Sequence, residues 1–501
     1  MARKAAIGIL DCGASGGRVF ALVMQENHLR LIEIHRFAHS PQRYWQRLEG
    51  EQNRVSRLCW NLGQIYEGLL QGMGKIAQRE DLELRSLGVD TWGSDGTWIN
   101  ASGDVLGLVG TGRDARWTAA REEILQQVGG HELFRLTGTR SEPFCVLNQL
   151  YWYTHHEPDL VATAATYMPI NSLLHYYLCG EKAAEYTWMS TTQLCAPGEA
   201  RYHDEIFTRL RLPLGKMPPL VQPGTRLGMC HTELAESVGV HPLQVIVPAT
   251  HDTASAYAAA PVEPERKPIL ISSGTWTLVG IGRGTPITSD AAYEAALTNI
   301  AGCEGVYLHA VIMGSWPAQA LRRAWSARDG IELSWDCFNR LADSGPPLET
   351  ILDIDDPIFY APQNMESAIV QFCHQTGQTP PQTRAAMARA VYEGLALKTA
   401  VACEHMQAIA DHSADEIVIV GGGTRNSLIS QWLADATGLP VRTGHPDATA
   451  LGNGLIQALT LGWIDSLAEG RRLVRDESQE RTFEPRQICD WGQAREKIEK
   501  W

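Results

Sequence analysis

No apolar run in this chain approaches the ~20 residues needed to cross a bilayer, so no membrane-spanning helix is predicted. The opening MARKAAIGILDCG is basic and then apolar, as a signal peptide is. Its apolar part is too short, however, and it ends in Asp-Cys-Gly rather than a small-residue cleavage site, so it reads as a first β-strand. Positive charge is in deficit: 43 Lys and Arg stand against 57 Asp and Glu, a net charge of −14. That balance argues against nucleic acid or an anionic membrane as the main partner. Cysteine pairs are missing too. Eleven cysteines, an odd number, are scattered without a C-x-x-C, and Cys373-His374 has no second pair to close a zinc site. His155-His156 lacks further ligands and reads as surface or packing. Reduced thiols in a cytoplasmic protein are the expectation. Neither GxGxxG nor GxxxxGK[ST] occurs, which removes the dinucleotide-binding fold and the P-loop.

What is present is a chain of 501 residues, too long for one ordinary core, so two domains are predicted. The segment Ala260 to Lys267, APVEPERK, places two prolines and four charges in eight residues and is the best boundary. The domains are therefore set at 1–260 and 261–501. Each begins alike. Ala5 to Leu10 is an apolar strand that runs into Asp11-Cys12-Gly13-Ala14-Ser15-Gly16-Gly17-Arg18, and Val19 to Met24 resumes as strand. After the boundary, Pro268 to Ser272 runs into a Ser-Ser-Gly-Thr turn, and Trp276 to Ile281 resumes. Strand, small-residue turn and strand at the head of each half is the pattern of a duplicated α/β lobe. Helical periodicity covers Leu58 to Ala77, ahead of a strand Ser86 to Asp90 that ends in Thr91-Trp92-Gly93-Ser94-Asp95-Gly96. Val245 to Val247 is a strand ending at His251-Asp252. Ile417 to Val420 is another, followed by Gly421-Gly422-Gly423 and a helix from Ser427 to Thr437. Thr449 to Gly454 opens a further small-residue helix, and the charged C-terminal tail reads as a surface helix.

The turns carry the chemistry. Gly13 to Gly17 permits positive φ and close approach of a ligand, and its successive N–H groups can form an anion nest. Asp11 either caps that turn or holds a water-coordinated Mg²⁺ beside polyphosphate. Asp252 either N-caps the helix that follows it or serves as a general base, its charge favoured by the helix N-terminus. Ser272 to Thr275 is either an ordinary turn or a holder of phosphate oxygens. Three consecutive glycines at 421–423 are costly to order unless something needs the space.

Together LDCGASGGRV, GVDTWGSDG, ATHDTASA, SSGTWTLVG, VGGGTRNSLISQWLADATGLPV and DATALGNG resemble the FGGY carbohydrate kinases, from Ile7 to about Leu459. The resemblance implies an α/β, two-lobed actin/hexokinase-like ATPase fold, that is, duplicated ribonuclease H-like domains with a central cleft. It implies ATP-dependent phosphorylation of the terminal C1 hydroxyl of a ketose, with Mg²⁺. L-Rhamnulose leads, and L-fuculose or another ketose or polyol is the alternative. By carry-over, Asp252 is the catalytic base, and Gly93, His251, Asp252 and Thr253 touch the sugar. Asp11 sits by the metal. Gly13, Ala14, Ser15, Gly16, Gly17, Ser273, Gly274, Thr275, Gln319, Gly421, Gly422, Gly423 and Asn426 hold ATP. The partner is a small-molecule sugar, with no nucleic acid and no membrane, and the chain is expected as a monomer or homodimer. A competing reading is a nucleotide-gated actin-like binding protein without sugar chemistry, although such a protein has no need of an acceptor base.

Two positions leave the pattern of the members most similar at HDTASA, SSGTW and IMGSWPAQALRRAW. Val311 stands where those carry Asn before Ile312-Met313-Gly314. Gly112 stands where they carry an aromatic before Arg113-Asp114. Loss of a polar sugar contact is enough to change the preferred sugar.

Overall fold

The computed structural model describes residues 3–25, 28–47, 54–360, 362–474, 480–486 and 490–500. Packing divides the chain into two compact units. The first comprises Met1–Ala259, Arg283–Leu308 and Ala448–Glu477, and the second comprises Ala260–Gly282, His309–Asp447 and Ser478–Trp501.

The first unit is built on a six-stranded sheet. We number its strands β1 (Lys4–Gly13), β2 (Gly16–Gln25), β3 (His28–Phe37), β4 (Leu82–Thr91), β5 (Thr225–Met229) and β6 (Gln244–Val247). Their order across the sheet is β5-β6-β4-β1-β2-β3. β1 and β2 form the predicted hairpin, with Asp11 opposite Arg18 and Gly13 opposite Gly16. β1 then pairs in parallel with β4, and β4 with β6. Such interior parallel strands are covered on both faces, hence the unbroken apolar run Ala5 to Leu10. Ile7, Ile9 and Leu10 are fully buried, each contributing about 1.5–3 kcal/mol relative to exposure. That burial makes β1 a rigid mount for the turn at its end.

The glycines of this turn act differently from expectation. Among the described residues, Gly13, Gly16 and Gly17 do not have positive φ. The demand at Gly17 is steric: a Cβ there would lie 2.1 Å from the Phe37 ring. Gly68, on the helix Leu62–Ala77, meets the same ring, so Phe37 fills space that two glycines leave.

The second unit repeats the theme with β7 (Pro268–Ser273), β8 (Trp276–Arg283), β9 (Glu416–Val420), β10 (Val441–Thr443) and β11 (Thr482–Phe483). β7 and β8 form an antiparallel hairpin, β7 pairs in parallel with β9, and β9 with β10. Hairpin first and parallel strand later is thus common to both units. The glycine run is followed by the predicted helix Ser427–Thr437, which stops at Gly438 with φ of 72°.

Two boundaries move. The helix expected from Leu58 starts at Leu62, because Asn61 caps it and Arg54–Cys59 is a strand. Asp252 is the first residue of its short helix, and the N-cap position belongs to His251, whose side chain makes no capping bond. The 27-residue helix Arg384–Ala410 was not anticipated. In the tail, Trp491–Ile498 is helical, and Cys489 lies outside the described residues. All described cysteines are free thiols, most of them buried. No described helix is long and apolar enough to cross a membrane.

Candidate active site

Ligands of open parallel sheets bind outside the carboxyl ends of the strands. In the first unit the ends of β1, β4 and β6 are neighbours, and each delivers residues singled out above. β1 ends in Asp11 and the glycine turn, β4 leads into Trp92-Gly93, and β6 leads into His251-Asp252-Thr253. Register aligns them. Asp11 stands opposite Asp90, and Cys12 opposite Thr91. Thr91 bridges to His251, and its N–H donates to the Thr250 carbonyl at 2.8 Å. Gly93 lies so close to His251 that an added Cβ would be 2.6 Å from the ring.

Asp252 is the accessible carboxylate of this group. Its side chain is 36% exposed, and Oδ1 accepts from the Thr253 N–H at 2.6 Å. The Thr253 hydroxyl and His251 Nε2 stand 3.2 and 3.5 Å from the same oxygen. Oδ1 is thereby fixed. The His251 ring is buried and held below its ordinary pKa by that burial, with the Asp252 charge opposing, and its Nδ1 has no hydrogen-bond partner among the described residues.

Asp11 is buried and accepts from Arg18 Nη2 at 2.6 Å across the hairpin. Burial pushes its carboxyl up, and the guanidinium pulls it back. Asp90 is pushed well above the carboxylate range, by burial first and then by the Asp11 charge. Its Oδ2 accepts from Asn453 Nδ2 at 2.6 Å, whereas Oδ1 has no hydrogen-bond partner among the described residues. Asn453 belongs to a buried amide chain in which Gln457 Nε2 donates to Asn453 Oδ1 at 2.6 Å and to the Gly8 carbonyl at 3.1 Å. Ser86 in turn donates to Gln457 Oε1 at 2.7 Å. The helix Ala448–Leu461 is pinned in this way to the strands that carry the two aspartates. Sequence reasoning missed Asp90, although an aspartate closing an apolar strand was the same signal that found Asp11.

The second unit gathers the other predicted set. The Gly274 carbonyl accepts from the Ser315 N–H at 3.1 Å and from its hydroxyl at 2.7 Å. Gln319 Nε2 donates to that hydroxyl at 2.8 Å, which joins Gln319 to the turn of Ser273, Gly274 and Thr275. Gly421 has φ of 87°, and a Cβ on Gly423 would fall 2.0 Å from Ser273 Oγ. The glycine run therefore lies directly on the hairpin turn. Asn426 caps the following helix, its Oδ1 accepting from Leu428 and Ile429 N–H at 3.1 and 3.3 Å.

This is the two-domain architecture of sugar kinases of known structure. The chain aligns with a xylulose kinase from Rhodospirillum rubrum at TM-score 0.77 and 17% identity, covering 98% of this chain and 97% of that one. With the ADP-bound glycerol kinase of Plasmodium falciparum the TM-score is 0.75 at 15% identity, covering 100% and 97%. The N-terminal domain profile of the FGGY family of carbohydrate kinases matches residues 6–258, and the C-terminal domain profile matches 269–461. The chain belongs to the FGGY family of carbohydrate kinases, and it is a sugar kinase that uses ATP. It is 32% identical over 471 residues to a rhamnulokinase of Oceanobacillus iheyensis, covering 93% of this chain and 95% of the relative. It is 33% identical over 479 residues to a rhamnulokinase of Klebsiella pneumoniae, covering 95% and 94%.

Proposed function

We propose that the protein transfers the γ-phosphoryl group of ATP to the C1 hydroxyl of a ketose, with L-rhamnulose as the leading substrate. The relatives named rhamnulokinase support the sugar. The observation that carries the chemistry is Asp252, a part-exposed carboxylate with one oxygen fixed by Thr253, in the same row of strand ends as Gly93 and Asp11. Gly93, His251 and Thr253 hold the sugar. Asp252 accepts the proton of the C1 hydroxyl as that oxygen forms its bond to the γ-phosphorus. The bond from phosphorus to the bridging oxygen breaks, and ADP leaves with the electron pair. A carboxylate is suited to this step because phosphoryl transfer asks mainly for positioning and charge stabilisation.

Gly13, Ala14, Ser15, Gly16 and Gly17 line phosphate, and Ser273, Gly274, Thr275, Gln319, Gly421, Gly422, Gly423 and Asn426 hold nucleotide. Residues 1–260 are taken as the sugar-binding domain and 261–501 as the ATP-binding domain. The side chain of Asn426 shapes the glycine turn by capping the helix behind it.

The residues present fit Mg²⁺. Asp11 supplies a hard oxygen donor, and the unpartnered Asp90 Oδ1 beside it is a second. Among the described residues no set of three or more His, Cys, Asp or Glu side chains is arranged to hold an ion. Mg²⁺ commonly binds through one or two carboxylates together with substrate phosphates. When bound, the ion would neutralise charge on the phosphate oxygens. We take the protein as a monomer or homodimer acting on a free sugar, and the free, mostly buried thiols support a cytoplasmic setting.

The test is a coupled ADP-release assay with L-rhamnulose, L-fuculose, L- and D-ribulose, xylulose, erythrulose and glycerol. L-Rhamnulose should give the highest kcat/KM. Another ketose in first place would reassign the sugar. ATP turnover indifferent to every sugar would favour the binding-protein reading.

A further inference from the structure

Among the residues outside this machinery, Asp95 has the most unusual environment. It is 2% exposed, and it is one of the few described non-glycine residues in the left-handed region, with φ of 80°. An aspartate held there persists only where its surroundings over-determine it, and such outliers gather at functional sites. Here the surroundings do so at every residue of the loop. The Trp92 carbonyl accepts from Trp188 Nε1 at 2.8 Å, and the Gly93 carbonyl from the Thr191 hydroxyl at 3.1 Å. The Ser94 hydroxyl oxygen lies 3.2 Å from the Phe144 carbonyl, and the Asp95 carbonyl accepts from the Ile170 N–H at 3.1 Å.

The carboxylate itself is fully used, and all its partners donate. Oδ2 accepts from the indoles of Trp60 and Trp92 at 2.7 and 3.0 Å. Oδ1 accepts from Ser94 Oγ and Gln149 Nε2, each at 2.9 Å. One oxygen therefore fixes two tryptophan rings whose centroids lie 4.4 Å apart. Trp92 is joined directly to Gly93, the residue against His251. An indole N–H can only donate, so only an acceptor atom can serve on that side.

We propose that Asp95 is a positioning residue for sugar binding: by anchoring Trp60, Trp92 and the Trp92–Asp95 turn, it fixes Gly93 against His251. The assignment rests on the sugar-kinase reading above, with Gly93 and His251 on the sugar side. Asp95 touches neither sugar nor nucleotide. Its effect appears in the ketose constant alone.

Asp95→Asn suits a test because asparagine tolerates positive φ. Its oxygen can still serve the two indoles, while its amide group faces Ser94 and Gln149, which have acceptor atoms to offer after reorientation. Asp95→Ala removes the anchor entirely. In the full-length enzyme, Asp95→Ala should raise KM for the ketose tenfold or more, and Asp95→Asn by a few-fold. KM for ATP should stay within twofold in both. Partial rescue by asparagine, together with this split, is what a general folding role would not produce. If Asp95→Ala fails to fold, the split is read from Asp95→Asn alone. Equal changes in both constants, or no change in either, with wild type active on the ketose, overturn the Asp95 assignment alone. A wild-type chain that phosphorylates no ketose overturns the functional reading, and the assignment with it.

Discussion

Asp11 and Asp90 stand in register on the neighbouring parallel strands β1 and β4. Two carboxyls so placed cannot both ionise freely, and their surroundings separate them. Arg18 offsets part of the burial at Asp11, whereas Asp90 has burial and the Asp11 charge both acting to retain its proton. Burial thus raises both carboxyls, and Asp90 further than Asp11. Asn453, on the helix behind it, donates to Asp90 Oδ2 and opposes part of that rise.

Removing that donor has a defined cost. Asn453→Ala leaves Asp90 Oδ2 without its amide donor in a fully buried position. A buried acceptor left unsatisfied costs about 1–3 kcal/mol. Urea denaturation should report a loss of that size. An unchanged midpoint and slope would show that the amide chain holds nothing in place.

The same helix constrains its neighbour by close approach. A Cβ on Gly452 would lie 1.8 Å from the Ser255 carbonyl oxygen, on the helix Asp252–Ala258. That neighbour is backbone and cannot rotate away. Gly452→Ala should destabilise by about 1–3 kcal/mol, the usual cost of overpacking. Because the displaced helix begins at Asp252, kcat should fall as well, and steady-state kinetics at a permissive temperature would detect it.

His175 gives stability a pH dependence. Its Nε2 accepts from the Val89 N–H at 3.2 Å, and its ring is otherwise bonded to the Asn171 carbonyl, an arrangement that requires neutral imidazole. Burial lowers its pKa from 6.5 to about 4. The unfolded chain therefore binds the extra proton between those values, so this contribution is full above pH 6.5 and is lost as pH falls toward 4. The loss amounts to about 3 kcal/mol by linkage. Chemical denaturation at pH 7 and pH 4.5 should show it, and His175→Gln should flatten the slope. An unaltered slope in the variant would assign the effect to other groups.

The nucleotide side separates kinetically from the sugar side. Gly423→Ala must displace the Ser273 hydroxyl, which an added Cβ would approach to 2.0 Å. KM for ATP should rise about tenfold, equivalent to about 1.4 kcal/mol of binding. KM for the ketose should be unaffected. A rise confined to the ketose would reverse the assignment of the glycine run.

Much of this site was legible in the sequence, for a physical reason. A buried strand that ends in a charged or hydroxyl residue and then in glycines breaks the apolar pattern abruptly. Asp11 and Ser273 to Thr275 sit at such breaks, His251-Asp252 has the charge without the glycines, and Gly421 to Gly423 has the glycines without the charge. Positive φ is not what the turn at Gly13 to Gly17 requires, and at Gly17 it is close packing against Phe37 that excludes a side chain. Asp95 was not legible as a hub. Its partners Trp60 and Gln149 are 35 and 54 residues away, a contact that only the fold creates. The helix Arg384–Ala410 escaped notice because Ala386 to Leu397 is buried on all sides. A helix buried all round has no polar stripe to reveal its period.

The central claim is that Asp252 takes the proton from a ketose C1 hydroxyl during transfer from ATP. The most direct measurement is ³¹P NMR of ATP and L-rhamnulose incubated with wild type and with Asp252→Asn at equal concentration. Wild type should convert the γ-phosphate signal into ADP and a sugar 1-phosphate resonance split by the two C1 protons. The variant should bind ATP and form that product at least ~100-fold more slowly, as removal of a general base predicts. Equal product formation by Asp252→Asn, or ADP appearing without a sugar phosphate in wild type, would contradict the account.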